Sequence, residues 1–556
     1  MIQLLRSINF KTVDGLAKIT EASRLMNKHL HANSVTSLID LSDNGSGPGG
    51  CNCRDCDANT SCDECNIFGD HNSLIGKRKK QCWDLMCTRD CVSGFIPGDA
   101  IQLLNDVAVP ELRRIVVECL DMCSTNELCC YLQLLVHYMS YENNIRLDKA
   151  ILGNFLIRKA KNDIIIANEI YWLMRLNIHS NHPEKEHYVY FLNEWIKHVP
   201  DDYKKIILKG ETLVSTLEKE SSKQHRFSVS DNYKKVFSRF VDTTFPTNPE
   251  KGSVKIISDE ITVKTSITRP IMIPGISSNG DKIRILYKGE DVRKDKIMMD
   301  VIRLMNVILT NELGMDLNIV TYNVLACTSE SGIIQIVDKS DTLYSITKKG
   351  VSLLNYALEN NENVVVMDLR KKFVRSCASY CVITFLLGIG DRHLENIMMT
   401  KDGQLFHIDY GFVLGYDPKP IDIPMMRISS EMINALGGEN SKYFEDFKIL
   451  CNQIYSCLRR HVNLFYSMLN LLVELQPPVQ NSVKFEERKL VEEIMKRFIP
   501  GEGNKEAKIQ LDNRIASGTQ SYRHAIVDFF HYHAQESTTV KAISEFISKL
   551  SKIKII

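Results

Sequence analysis

The sequence predicts an α+β protein in which an all-helical, solenoid-like unit precedes a strand-rich small lobe and a helical large lobe. Three observations carry this expectation. From about residue 98 to residue 220, stretches such as "PELRRIVVECLDMCSTNELCCYLQLLVHYMSYE", "YWLMRL" and "YVYFLNEWIKHV" set apolar side chains three and four apart, the spacing of one helix face. Next, "SVKIIS", "IRILYKGED", "IVTYNVLAC" and "GIIQIVD" alternate apolar and polar residues, as half-buried strands do. From Asn363 onward long helical patterns return, broken by the short strand "QLFHID".

Taken in order, residues 1–46 hold one helix-like stretch, "KTVDGLAKITEASRLMNKHL", and run into "SDNGSGPGG", whose Gly, Pro, Asn and Ser mark a flexible boundary. Residues 47–96 form a Cys-rich insert with little apolar material for a core. Cys51, Cys53, Cys56, Cys62 and Cys65 follow C-x-C-x2-C-x5-C-x2-C, and four such thiolates could hold Zn²⁺. The gap between the C-x-x-C pairs is shorter than a zinc ribbon uses, and a disordered insert with free thiols is the alternative. Cys82, Cys87, Cys91 and His71 are candidates for a second site. Residues 97–220 are the helical accessory domain. An irregular passage with "FPTNP" is expected over 221–250, opening a catalytic region of 221–556 with a small lobe of about 251–338 and a large lobe of about 341–556. A turn at 329–332 joins two strands as a hairpin. The helix expected over 366–387 becomes apolar all round in "CASYCVITFLL", the mark of a buried central helix, and Gly388 can end it. In the tail, Val540, Ile543, Phe546, Ile547, Leu550 and Ile553 share one helical face with Lys541, Lys549, Lys552 and Lys554 elsewhere, a pattern suited to an anionic membrane surface, with packing back on the large lobe as the alternative.

Composition narrows the function. The chain has 556 residues, and 69 Lys plus Arg nearly cancel 68 Asp plus Glu, so no global field draws it to nucleic acid. Arg6 interrupts the apolar start before a secretory h-region can form, and the apolar run at 380–390 is far short of the roughly 20 residues of a membrane span. A cytoplasmic protein with reduced thiols is expected. Of the 17 cysteines, eight crowd into 51–91, and the other nine read as small core residues.

The chemistry is concentrated in "GIGDRHLENIMMTKDGQLFHIDYGFVLGYDPKP". Phosphoryl transfer asks for a cation on the nucleotide phosphates, oxygen ligands for Mg²⁺ and an acceptor for the proton of the attacking hydroxyl. Strand alternation puts Lys288 opposite Ile283, Ile285 and Tyr287, free to enter a cleft, and Asp295 is the carboxylate expected to keep it aligned. Five residues separate Asp391 from Asn396, as they separate base and metal-binding amide in the protein-kinase loop H-R-D-x-x-x-x-N. Here the triplet is reversed to D-R-H, which brings in His393, an imidazole matched to proton transfer near neutrality. Asp409, at the end of a strand and before Tyr410 and Gly411, offers hard oxygen to a metal.

These residues resemble the phosphatidylinositol 3-kinases, and within them the class III, vacuolar-sorting type. "SCASYCVITFLLGIGDRHLENIMMTKDGQLFHIDYGFVLGYDPKP" is similar to its catalytic and activation loops, "YNVLACTSESGIIQIVD" to its hinge hairpin, and "NELCCYLQLLVHYMSYE" with "FLIRKAKNDIIIANEIYWL" to its helical domain; the resemblance runs from about residue 97 to 535. It implies a two-lobed, protein-kinase-like catalytic domain that uses ATP with Mg²⁺ or Mn²⁺. It implies that Lys288 binds the phosphates, that Asp295 and Tyr322 line the inner nucleotide pocket, that Ile336 and Val337 receive adenine, and that Ile408 lies beneath it. His393, assisted by Asp391, would activate the inositol 3-hydroxyl, with Asn396 and Asp409 holding the metal. Residues 409–424, including Tyr410, Gly411 and Lys419, would read the headgroup. Lys419 is the one cation there, and a loop selecting phosphorylated inositides should cluster Arg and Lys, so plain phosphatidylinositol is the expected substrate. The setting implied is the face of endosomal or other intracellular membranes, in trafficking or autophagy. A regulatory pseudokinase subunit is the family's usual partner, but no C2-like segment is read in the first 96 residues. The segment "YKGEDVRKD" departs from the family's spacing: either one residue is missing after Lys288, or Tyr287 occupies the lysine position.

Overall fold

The computed structural model describes residues 110–519 apart from 143–145, 181, 223–228, 265–267, 360, 362–364, 418–425 and 475–480, together with residues 98, 101 and 104. The expectations for residues 1–46, for the Cys-rich insert and its Zn²⁺, for Lys419 and for the amphipathic tail lie outside the described residues. The chain divides into two compact units, 1–122 and 123–556. In the first, helix α1 (Pro110–Asp121) begins on a proline, whose missing N–H costs nothing at that position, and buries Val116, Cys119 and Leu120.

The second unit opens with five helices, α2 (Thr125–Met139), α3 (Ile151–Asn162), α4 (Ile164–His179), α5 (Lys185–His198) and α6 (Asp201–Ser221). Their limits follow local chemistry. Ser124 caps α2 by accepting the Glu127 N–H, and Asp163 both ends α3 and caps α4 by accepting from Ile165 and Ile166. Trp172 and Trp195 fill the core between them, the Trp195 indole donating to Ala167 O at 3.1 Å. Residues 221–250 are not irregular throughout: α7 (Val229–Phe237) lies there. Tyr233 and Phe237, four apart, are buried and stack at 6.2 Å, a helical spacing too short to stand out in sequence.

The small lobe is an antiparallel sheet of β1 (Val254–Ile256), β2 (Thr262–Val263), β3 (Ile271–Ser277), β4 (Lys282–Lys288), β5 (Val324–Ala326) and β6 (Gly332–Gln335), in the order β1-β3-β4-β6-β5 with β2 beside β3. Ile273 faces Ile285, and Lys288 faces Gly332. Between β4 and β5 runs α8 (Arg293–Leu313), stopped by Gly314 in the left-handed conformation. The expected hairpin is the β5–β6 pair. A three-stranded sheet of β7 (Ser340–Thr342), β8 (Ile397–Thr400) and β9 (Leu405–His407) follows in the large lobe. Its helices are α9 (Leu343–Lys348), α10 (Leu353–Leu358), α11 (Val366–Leu387), α12 (Ser430–Ala435), α13 (Lys442–Arg459), α14 (Val462–Glu474), α15 (Asn481–Met495) and α16 (Asn504–Thr519). From Phe373 to Leu387 nearly every α11 side chain is buried, as its sequence predicts. No described helix is long and apolar enough to cross a membrane.

The helical layer is keyed to the small lobe by polar contacts. Arg175 on α4 lies 5.0 Å above the Trp172 ring, pairs with Glu211 and Glu218, and donates to Cys327 O at 2.8 Å, gripping the tip of the β5–β6 hairpin. Lys296 on α8, fully enclosed, pairs with Asp300 at 2.8 Å and with Glu169 of α4. Burial opposes its charge, but Asp300 and Glu169 outweigh burial and hold its pKa above the ordinary value. Lys296→Met leaves the 1% exposed Asp300 with only Arg303 at 3.3 Å. Because breaking a buried pair strands a charge, this change is expected to destabilise the fold by about 3 to 5 kcal/mol. The reading is a lowered urea midpoint; an unchanged midpoint would mean the pair carries no net weight.

Candidate active site

The site starts at the end of β4, where alternation sends neighbouring side chains to opposite faces. Tyr287 turns towards the helical layer and is buried with its hydroxyl 3.1 Å from Ser221 Oγ. Lys288 turns the other way, its Nζ 2.9 Å from Glu290 Oε1 and 4.0 Å from Asp409 Oδ2. Lys288, not Tyr287, therefore faces Asp409. Burial pushes the Lys288 pKa down, but Asp409, Asp295 and Glu290 together raise it above the ordinary value, so the ammonium is charged at neutral pH.

Asp295 does not align Lys288 through a short pair, as its position in sequence suggested; Glu290 does that. Asp295 sits in the first turn of α8, 4% exposed, and its Oδ1 accepts the Tyr410 N–H at 2.9 Å. Burial raises its pKa to about 6 against the opposing pull of Lys288. It thus acts on the lysine through its field and on the Asp409 segment through a hydrogen bond.

Helix α11 ends at Gly388, in the left-handed conformation at φ 60°. Three residues later Asp391 also has positive φ, 51°, a geometry Asp tolerates better than most side chains. Its carbonyl accepts from the Asn396 amide at 3.0 Å and from the His393 N–H at 3.1 Å, and its N–H donates to Asp417 Oδ2 at 2.8 Å. His393, buried, receives the Glu395 N–H on Nδ1 at 3.3 Å and turns Nε2 towards Asp391 Oδ2, 3.7 Å away. Arg392 is buried too. Its guanidinium donates to Gly390 O and Ile408 O, each at 2.7 Å, and to Asp409 O, tying the loop before β8 to the exit of β9.

Asp409 again has positive φ, 62°, and its half-exposed carboxylate accepts the Gly411 N–H at 3.3 Å. The adjoining Ile408, half-buried, donates its N–H to Asn396 O at 3.1 Å, a second tie between the two loops. Tyr410 departs from expectation. Its side chain is fully buried beside Tyr322 and Tyr380 with its hydroxyl donated to His407 O at 2.9 Å, so it anchors the loop and cannot touch a headgroup. Tyr322 is buried in that same aromatic group. Gly411, by contrast, is exposed. At the hinge, the Ile336 N–H is spent on Arg284 O at 2.9 Å and Val337 O accepts from Ser340 Oγ at 2.7 Å. Ile336 therefore has no backbone donor to offer adenine.

Sequence reasoning missed Glu290 and Asp417 and gave Arg392 no role. Arg392 stood inside the D-R-H triplet, but only its three carbonyl partners reveal the task. The oxygen chemistry suits a hard divalent cation. The Asn396 nitrogen is committed to Asp391 O, which leaves its Oδ1, and the Asp409 carboxylate supplies the second donor. Among the described residues no group of three or more His, Cys, Asp or Glu forms a protein-only cage. Two oxygens plus phosphates and water are how Mg²⁺ is commonly held.

Known proteins are similar to this chain over both the helical region and the segments that carry this site. Residues 282–478 match the phosphatidylinositol 3- and 4-kinase family, and residues 93–208 match the phosphoinositide 3-kinase accessory (PIK) domain. The chain is 31% identical over 470 residues to phosphatidylinositol 3-kinase pik3 of Schizosaccharomyces pombe, covering 79% of this chain and 58% of that protein. It is 30% identical over 403 residues to phosphatidylinositol 3-kinase VPS34 of Candida glabrata (69% and 44%) and 29% identical over 405 residues to that of Arabidopsis thaliana (67% and 49%). The chain spans about half the length of the curated relatives it matches.

Proposed function

The chain belongs to the phosphatidylinositol 3- and 4-kinase family, with a PIK accessory domain ahead of the kinase domain, and from that premise we propose that it transfers the γ-phosphoryl group of ATP to the 3-hydroxyl of phosphatidylinositol. The observation that carries this reading is the set of ties that gathers the polar residues. Lys288 faces Asp409, Arg392 joins the Asp409 carbonyl to the D-R-H loop, and Asn396 and His393 both bond to the Asp391 carbonyl.

In this reading Lys288, charged at neutral pH, meets the nucleotide phosphates. Val337 N–H, not that of Ile336, meets the adenine ring, with Ile408 beneath it. Asn396 Oδ1 and the Asp409 carboxylate hold Mg²⁺, and Mn²⁺ would suit the same oxygens. Bound ATP and its metal supply the phosphoryl group and neutralise its charge. Asp391 and His393 handle the proton of the attacking hydroxyl as a pair. Since Nδ1 of His393 accepts a backbone N–H, the neutral ring carries its proton on Nε2, towards Asp391. Nε2 takes the hydroxyl proton only as it passes its own proton to the facing Asp391 carboxylate, so one proton remains on Nε2 and one ends on Asp391.

The headgroup would be plain phosphatidylinositol at intracellular membranes, in trafficking or autophagy, as the sequence resemblance implies; a regulatory pseudokinase partner rests on that resemblance alone. Purified protein should be incubated with labelled ATP and separate vesicles of phosphatidylinositol, its 4-phosphate and its 4,5-bisphosphate. Label on the 3-position of the unphosphorylated lipid is expected. Label only on protein, or at the 4-position, would overturn the assignment.

A further inference from the structure

The segment after Asp409 is joined to the D-R-H loop more closely than the metal and base roles require. Leu414 N–H donates to Leu387 O at 3.2 Å, Gly415 N–H to Gly388 O at 2.8 Å, and Gly390 N–H to Phe412 O at 2.9 Å. The two backbones touch. A Cβ on Gly390 would lie 2.3 Å from Tyr416 O, and one on Gly388 would lie 2.5 Å from Gly415 N. No side chain larger than hydrogen fits between them without displacement.

At the far end of this zipper the pairing changes character. Asp391 has φ 51°, which turns the chain after it out of an extended path. The acceptor its N–H finds is a side chain, Asp417 Oδ2, at 2.8 Å. A carboxylate is a strong acceptor for a backbone N–H, and its short side chain fixes the distance between the loops. The bond holds the residue whose carbonyl receives Asn396 and His393 and whose carboxylate faces His393 Nε2.

We infer that Asp417 is a positioning residue that couples the proposed headgroup-reading loop to the proton-handling pair: it latches the Asp391 N–H, so the base acquires its working geometry only when the start of that loop is seated. This rests on the reading of Asp391 and His393 given above. It goes beyond that reading by making the catalytic loop conditional on a residue that touches neither nucleotide nor metal. Asp417 is only half-buried, so its replacement leaves the core packing intact.

The test compares Asp417→Ala with Asp417→Asn, whose Oδ1 can accept the same N–H. With phosphatidylinositol vesicles, the alanine variant is expected to lose about tenfold to a hundredfold in kcat, the scale of small misplacements at a reacting centre. KM for ATP should stay within about twofold, and the asparagine variant should recover most of kcat. Hydrogen exchange gives a readout that needs no turnover: the Asp391 amide should exchange at least about tenfold faster in the alanine variant and near the wild-type rate in the asparagine variant. Wild-type kcat in the alanine variant, unchanged Asp391 exchange, or equal damage from both substitutions would each overturn the inference. If the wild-type protein does not phosphorylate the lipid, the functional reading falls, while the exchange comparison still decides whether the latch exists.

Discussion

His393→Ala is expected to lower kcat for lipid phosphorylation by about 10²- to 10⁴-fold, the usual worth of a positioned acid or base. ATP affinity should hardly change, because Lys288, Asp409 and the hinge lie on other elements. The imidazole is 5% exposed, fixed on one side by the Glu395 N–H and on the other by the facing Asp391 carboxylate, 3.7 Å from Nε2. That gap is longer than a hydrogen bond, and substrate binding has to close it or bridge it. A pair that passes one proton between its members should also fail as a unit. Asp391→Asn should be impaired on a similar scale, and the double variant should be little worse than the worse single. Losses that multiply would mean that the two residues serve separate steps. A His393→Ala protein with near wild-type turnover would remove the imidazole from the chemistry.

What was legible in sequence was whatever depends on neighbours along the chain. The helix over 366–387 and its Gly388 stop were readable because an apolar face and a left-handed cap are local signals. Period-two alternation was enough to send Tyr287 and Lys288 to opposite faces, and in the structure Lys288 is the one beside Glu290 and Asp409. Several of the expectations that changed involve partners far apart in the chain. Asp295 finds the Tyr410 N–H 115 residues away, and Asp417 finds Asp391 26 residues back. Both bonds lie beside a residue of positive φ, Asp391 or Asp409, and no pattern of apolar spacing reports a backbone turn of that kind. Tyr410 misled for the same reason. Its place in the loop expected to read the headgroup suggested exposure, but after the left-handed Asp409 the ring is buried among Tyr322 and Tyr380. Arg392 needed three carbonyls from two segments before its buried charge made sense.

Asp295→Asn is expected to make the protein more stable at pH 7.5 while removing a pH limb from its activity. Asp295 is 4% exposed with a pKa raised to about 6, chiefly by burial. An unfolded Asp titrates near 3.9. The folded state therefore holds a proton that the unfolded chain releases, and this favours folding fully below about pH 4 and is lost as pH rises through about 6. Above that, the buried carboxylate costs the fold about 3 kcal/mol, two pKa units at 1.36 each. Asparagine carries no charge to bury and keeps an oxygen for the Tyr410 N–H, so a gain of about 1 to 3 kcal/mol is expected at pH 7.5, shrinking towards zero at pH 4. Denaturant midpoints at the two pH values read this directly. Function pulls the other way. Ionised Asp295 helps hold the charge on Lys288 and makes a charge-assisted bond behind Asp409, so wild-type kcat/KM should fall as pH drops below about 6. In the variant that limb should vanish and the plateau should lie lower. A variant no more stable than wild type at pH 7.5 would show that Lys288 already offsets the burial of this charge, and the strain assigned to the site would be absent.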